Sequence, residues 1–394
     1  MTDREIRNPQ NELRSATYLD MYFDERGKDI TAADLMIDAL VRLDISSFDE
    51  LVKLSGKLDS IAAVKPYRRM DMQHVNLDLR NKLSIKSNGP DAMVTTYLFA
   101  GLHSVTKENM SGEIKEKGGV GIFKDCLYKD ASPEFCLSIS HAFTEALADL
   151  VNPDYESYWT HHQSSGDPFC RFVFKRKSEP ISVLEDLGET IAIVPKFDLP
   201  KENIQALSIM TGAVFLNENT RGFVDLHGSE KTVEVLGLNA ERIGKRIGEK
   251  LVKGNPPLSR DADSIGRLIH SLEKSLAQRD AFDIISKDEC TCEVTDCTQQ
   301  QFVPEQCKQL ESLFNGIVHG INPAYEFAYD RMMSKGDATC HWVVKKKAEP
   351  SNQKPKEEAL SHDPFKRLTN RFVDGEITEE EYEKKLAILK KHVK

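Results

Sequence analysis

The chain has 394 residues, 40% of them hydrophobic and 29% charged, with a net charge of −10. This is an ordinary globular mix, long enough for two or three domains. The acidic balance implies no basic face for nucleic acid, no apolar run approaches the roughly 20 residues of a membrane span, and the polar start Met1 to Arg7 lacks a signal-peptide core, so a soluble, cytoplasmic protein is expected.

Taken in chain order, Ala32 to Leu43 places Leu35, Ala39, Leu40 and Leu43 at helical spacing, and Ala92 to Val105 reads the same way. Gly118-Gly119-Val120-Gly121 lacks the Lys-Ser/Thr of a phosphate loop and reads as a turn. Pro133-Glu134 opens an amphipathic helix with Phe135, Ile139, Phe143, Leu147 and Leu150 on one stripe, and Asn152-Pro153 ends it. Gly166-Asp167 between two extended runs signals a hairpin, and Cys170, Phe172 and Phe174 share one face of the strand that follows. Thr190 to Val194 and Gly212 to Asn217 read as short strands, and Ala240 to Val252 and Ala262 to Ala277 as helices.

Pro304-Glu305 then opens a second amphipathic helix, which Asn322-Pro323 ends, and Gly336-Asp337 precedes Cys340, Trp342 and Val344 on a strand. Residues 351–362 are polar, charged and proline-bearing, a flexible linker. In 363–394 Asp363-Pro364 starts one short helix and Thr378-Glu379-Glu380-Glu381 caps another, a helical hairpin too small to bury much alone.

The two cysteine-bearing stretches spell one frame twice. Asp125-Cys126, Pro133-Glu134-Phe135-Cys136, Asn152-Pro153, Tyr155-Glu156 and Gly166-Asp167 to Cys170 recur as Asp296-Cys297, Pro304-Glu305-Gln306-Cys307, Asn322-Pro323, Tyr325-Glu326 and Gly336-Asp337 to Cys340. A single residue of spacing differs, between the second Cys and Asn-Pro. Cys126 and Cys297 are 171 residues apart, a period that fits a duplicated domain and is too long for a solenoid. The expected architecture is therefore α+β: copy one over 1–180 and copy two over 181–350, each with a helical front and a small antiparallel sheet.

Six of the eight cysteines fall in this frame. In a cytosolic chain, cysteines read as metal ligands, thiols or buried apolar residues rather than as disulfides. Cys126, Cys136 and Cys170, and likewise Cys297, Cys307 and Cys340, could converge on Zn or Fe, but the close Cys-x-x-Cys pair of a strong zinc motif is missing. The competing reading makes Cys170 and Cys340 small core residues. The helix dipole would lower the pKa of a first-turn thiol such as Cys136 or Cys307. Glu156 and Glu326, at one place in both copies, are candidates for a fourth ligand or a general base, against the plainer reading of a surface Glu after a turn. Cys290 and Cys292 with Cys297 and Cys307 offer a rival four-cysteine site. The histidines do not match between the copies, and His161-His162, which could serve copy one alone, reads first as a sheet-surface pair.

The frame Cys126, Cys136, Gly166-Asp167-Pro168-Phe169-Cys170, repeated as Cys297, Cys307, Gly336-Asp337-Ala338-Thr339-Cys340, resembles the L-2-amino-thiazoline-4-carboxylic acid hydrolase family. It is also similar to the 4-vinyl reductase domain, a small-molecule-binding module. The resemblance covers about 55 residues of each half. It implies an α+β domain and, on the hydrolase side, water-dependent opening of a small sulfur- and nitrogen-containing heterocycle. On the other side it implies ligand sensing, sometimes with cysteine-bound zinc. His162 and Met332 stand where the sensory domain often has a further Cys. The tail Asp363 to Lys390 resembles a short C-terminal domain (SHOCT), which implies docking or oligomerisation. A small-molecule ligand or substrate is the expected partner, with no nucleic acid and no membrane span.

Overall fold

The computed structural model describes residues 31–348, apart from 103, 198, 255–258, 275 and 298, together with residues 381–386. The chain divides into two units, Met1–Lys346 and Lys347–Lys394. In the second unit residues 381–386 are helical; the expected linker 351–362 and the rest of the expected hairpin lie outside the described residues.

The first unit mixes helices with two small antiparallel sheets, an α+β fold as expected. Helix α1 (Ala32–Ser55) starts at Thr31, whose hydroxyl accepts from the Asp34 N–H while the Asp34 carboxylate accepts from the Thr31 N–H. Gly56, at φ 82°, joins it to α2 (Lys57–Lys82). Then come α3 (Pro90–Gly101), the hairpin β1 (Met110–Lys115) and β2 (Gly118–Phe123), and helix α4. Helix α4 runs Pro133–Cys136, passes through a π-helical turn at Leu137–His141 and continues as Ala142–Val151. The hairpin β3 (Tyr155–His161) and β4 (Cys170–Arg176) and strand β5 (Thr190–Ile193) follow.

Residues 201–346 present the same order again. Helices α5 (Lys201–His227) and α6 (Ser229–Gly254) are joined by Gly228 at φ 78°, and α7 (Ala262–Lys274), β6 (Ala277–Ser286), β7 (Glu289–Cys297), α8 (Pro304–Ile321), β8 (Tyr325–Arg331) and β9 (Cys340–Lys346) complete the set. The sheet orders match, β3-β4-β2-β1-β5 and β8-β9-β7-β6, with β5 the extra edge. The one-residue difference in the cysteine frame falls between Cys136 and Asn152, where α4 carries its π turn and α8 runs as uninterrupted α-helix. A π turn is how a helix absorbs one inserted residue without losing its ends.

The two Gly-Asp hairpins form as read. Gly166 and Gly336 adopt φ 93° and 96°, and the Asp167 and Asp337 carboxylates each accept a backbone N–H across the turn, from His162 and Met332, at 2.7 Å. Two other readings are corrected. Gly118 to Gly121 form strand β2 rather than a turn, because the Phe172 ring lies where a Gly121 Cβ would be and Val94 presses on Gly119. Gly212 to Asn217 lie inside α5 rather than on a strand, because this helix is buried around most of its circumference there and its apolar period is hidden.

The helical layer knits the halves together. On α1, Met36, Ala39, Leu40 and Leu43 enter the core beneath β6–β9, whereas Phe48 and Leu51 enter the core beneath β1–β4. On α5, Ile209 and Leu216 join the former core, and Phe215 and Phe223 the latter. Each core thus takes side chains from both halves of the sequence.

Candidate functional site

In each half the three framed cysteines meet at one cavity. Cys126 lies on the loop after β2, Cys136 in the first turn of α4 and Cys170 at the start of β4; all three line a cavity of about 50 Å³. Cys297, Cys307 and Cys340 line its counterpart of about 30 Å³. Since one water needs about 10–15 Å³, the first cavity has room for several waters.

The sulfurs also hold local backbone. The Cys126 sulfur accepts from the Tyr128 N–H at 3.4 Å and the Cys170 sulfur from the Gln163 N–H at 3.3 Å. Cys297 and Cys340 repeat this with Gln299 and Met333 at 3.4 and 3.2 Å.

The walls of the first cavity are aromatic. Tyr97 packs edge-on against Phe143, Phe172 and Trp159, with centroids 4.9, 4.6 and 5.8 Å away, and stacks on Phe123 at 5.6 Å. Phe135 and, from the second half of the sequence, Phe215 close another side. The π turn supplies Ser140, which bonds the Tyr97 hydroxyl, and His141. The His141 ring stacks on His162, their Nε2 atoms 3.3 Å apart, and both lie against Trp159. His162 lines the cavity, whereas His161 packs on Phe169.

Burial sets the electrostatics. It pushes the Cys126 and Cys297 thiols up to about 12 and those of Cys136 and Cys307 to about 11; Cys170 and Cys340 also rise. The expected dipole-lowered thiol at Cys136 or Cys307 is therefore corrected: desolvation outweighs the dipole, and the thiols stay neutral. Burial, with His162 alongside, lowers His141 to about 4.

No family model matches this chain, and neither a curated protein nor a solved structure matches it.

Among the described residues no group of three or more His, Cys, Asp or Glu side chains is placed to hold a metal ion. The cysteine triples line their cavities without forming a cage for Zn or Fe in this arrangement. Glu156 stands elsewhere. Its Oε1 accepts from Lys175 Nζ at 2.5 Å, and Lys175 is its cross-strand partner, five residues along β4 from Cys170, about 17 Å at the usual strand rise. Glu326 faces Lys345 in the same way at 3.5 Å. Neither glutamate lines either cysteine cavity. Cys290 and Cys292 sit buried on β7 opposite Val344 and Trp342, apart from the second cavity, so the rival four-cysteine site does not assemble.

His141, Tyr97 and Trp159 were not picked out from the sequence as site residues, and the sheet-surface reading of His161-His162 is corrected at His162, which burial turns to the cavity. The signal available for His141 was the extra residue between Cys136 and Asn152, which marks the π turn. Nothing local marks Tyr97, which reaches the site from a different helix.

Proposed function

We propose that the chain is a tandem small-molecule-binding module, of the kind that the resemblance to the 4-vinyl reductase domain implies, and that its working cavity is the one lined by Cys126, Cys136 and Cys170. The observation that carries this reading is the convergence of three cysteines from separate elements on an aromatic cavity whose thiols burial keeps protonated. No carboxylate lines that cavity, and its polar groups are neutral hydroxyls, amides, thiols and an imidazole, apart from Lys129, which is paired with Asp125 at its rim. Such walls favour a small, uncharged aromatic ligand, which enters as their side chains move apart beyond the 50 Å³ already open. The recurring order of elements supports a duplicated origin for the two halves, and the C-terminal segment is read as a docking or oligomerisation element.

A hydrolase acting on an aminothiazoline-like heterocycle is the second reading, and the His141–His162 pair favours it: His162 lines the cavity, held in place by His141, and its imidazole can orient a water by hydrogen bonding. One experiment separates the two. The protein is titrated with neutral para-nitrophenol and with 2-aminothiazoline-4-carboxylate, following tryptophan fluorescence and product formation, alongside metal analysis of the wild type and of a Cys126, Cys136, Cys170→Ser triple variant. Saturable binding of the phenol without turnover supports the binding module. Turnover of the thiazoline that falls in His162→Gln replaces it with the hydrolase. Stoichiometric metal lost in the triple variant would show that the cysteines ligate after all and would overturn the neutral-thiol cavity.

A further inference from the structure

The two halves share a frame but not a cavity, and the difference centres on one position. Asn152 Nδ2 donates to the Asn88 carbonyl at 3.2 Å, and Asn322 Nδ2 donates to the Arg260 carbonyl at 2.7 Å. These matched bonds tie the end of α4 or α8 to the start of α3 or α7, which open at Pro90 and Ala262. Counted from there, Gly101 on α3 and Glu273 on α7 hold the same place, and both line their cavities.

At Gly101 a Cβ would fall 2.4 Å from Cζ of Phe123, so the first half has a ring where a side chain would otherwise enter. In the second half the strand position opposite Cys340 is Val294, where the first half has Phe123 opposite Cys170. The smaller side chain leaves a gap, and Glu273 fills it. Its Oε1 accepts from the Tyr329 hydroxyl at 2.5 Å, and its Oε2 accepts from the Trp342 indole N–H. Tyr329 and Trp342 are cross-strand partners, as Trp159 and Phe172 are in the first half. Glu273 is 5% exposed, so this carboxylate is sealed among its donors.

We propose that Glu273 is a built-in occupant of the second cavity, so that of the two cysteine cavities only the first takes a ligand, and the second is closed by its own side chain. This rests on the binding reading above. A neutral aromatic molecule entering the second cavity must displace a buried carboxylate and break its bonds from Tyr329 and Trp342, a cost the first cavity, which no carboxylate lines, does not impose. Gly101 and Glu273 thus set the two halves apart: Gly101 yields its place to the Phe123 ring, which walls an open cavity, whereas the Glu273 side chain enters the second cavity itself.

The chain has two tryptophans, and one serves each site: Trp159 lines the first cavity and Trp342 holds the occupant of the second. Neutral para-nitrophenol absorbs where indole emits and serves as probe. Trp342→Phe protein, reporting through Trp159, is expected to show saturable quenching. Trp159→Phe protein, reporting through Trp342, is expected to show none, or a half-saturation at least tenfold weaker. Glu273→Gly in the Trp159→Phe background is expected to restore saturable quenching. Equal half-saturation at both reporters with Glu273 intact would overturn the occupant proposal alone. Absence of saturable quenching at Trp159 would overturn the binding reading as well.

Should Glu273→Gly fail to fold, the wild-type chain supplies a second measurement. Cys126 and Cys297, and Cys136 and Cys307, hold matching places and burial raises all four thiols, so their rates with methyl methanethiosulfonate, measured as a function of pH to separate ionisation from access, compare access. Peptide mapping is expected to find Cys126 and Cys136 modified at least tenfold faster than Cys297 and Cys307. Equal rates would overturn the proposal.

Discussion

Arg68→Met should destabilise the first unit strongly, and more at high pH than at low. Arg68 is fully buried on α2 between the halves. Its Nη2 donates to Asn219 Oδ1 at 2.5 Å, its Nε faces Glu218 at 3.5 Å, and Asp44 lies 3.8 Å away. Its guanidinium also covers the Phe135 and Phe215 rings, 5.4 Å from each centroid, behind the wall of the first cavity. One cation thus serves two buried carboxyls. Burial raises Asp44 to about 7 and Glu218 well above its usual range, against the pull of Arg68.

Removing the cation leaves two uncompensated acids, a loss of about 3–5 kcal/mol for a broken buried pair. At about 2 °C per kcal/mol for a unit of this size, Tm should fall by about 6–10 °C. The sign with pH follows from the raised folded pKa values. Asp44 in the unfolded chain ionises near 3.8, so stability is lost as pH rises from about 4 through 7, and loss of Arg68 deepens that slope. Thermal melts of wild type, Arg68→Met and the Arg68→Met, Asp44→Asn, Glu218→Gln triple variant at pH 5.5 and 8.0 test this. The triple variant should recover most of the loss. An Arg68→Met deficit that is equal at both pH values, or a triple variant no more stable than the single, would refute the reasoning.

Two further outcomes are expected. Gly316→Ala on α8 would place a Cβ 2.2 Å from the Glu241 carbonyl oxygen of α6, and Gly320 meets Lys245 at 2.3 Å. Helix propensity alone would make Ala stabilising by about 1 kcal/mol, whereas forcing the helices apart costs about 1–3 kcal/mol or more, so a lowered denaturation midpoint upholds the close contact and a raised one rejects it. His141, lowered from 6.5 to about 4, contributes stability that is present above pH 6.5 and lost as pH falls towards 4, up to about 3 kcal/mol. His141→Gln should therefore narrow the gap between melts at pH 7 and pH 4.5, and an unchanged gap would dismiss the buried, neutral imidazole.

Much of the local structure was legible. Gly166 and Gly336 need positive φ, Asp167 and Asp337 bond the turn, and Asn152 and Asn322 precede proline; each signal acts within a few residues, so it is written where it acts. The readings that failed concern surroundings. Gly121 is a strand residue because Phe172, some fifty positions away in sequence, lies across it, and Cys136 is a neutral thiol because distant aromatics remove water from it. Glu156 follows the frame faithfully, yet its strand carries it to Lys175 and away from the cysteines.

The sequence by itself determined the α+β class, the hairpins that set Cys170 and Cys340 on their strands, and the recurrence of three cysteines per half. Only the tertiary structure decided that those cysteines share a cavity, that Tyr97 and Phe215 wall the first one, and that Glu273 fills the second. The physical reason is range. Backbone preferences and capping are read from neighbours in the chain, whereas burial, thiol ionisation and the shape of a cavity depend on which distant side chains displace the water.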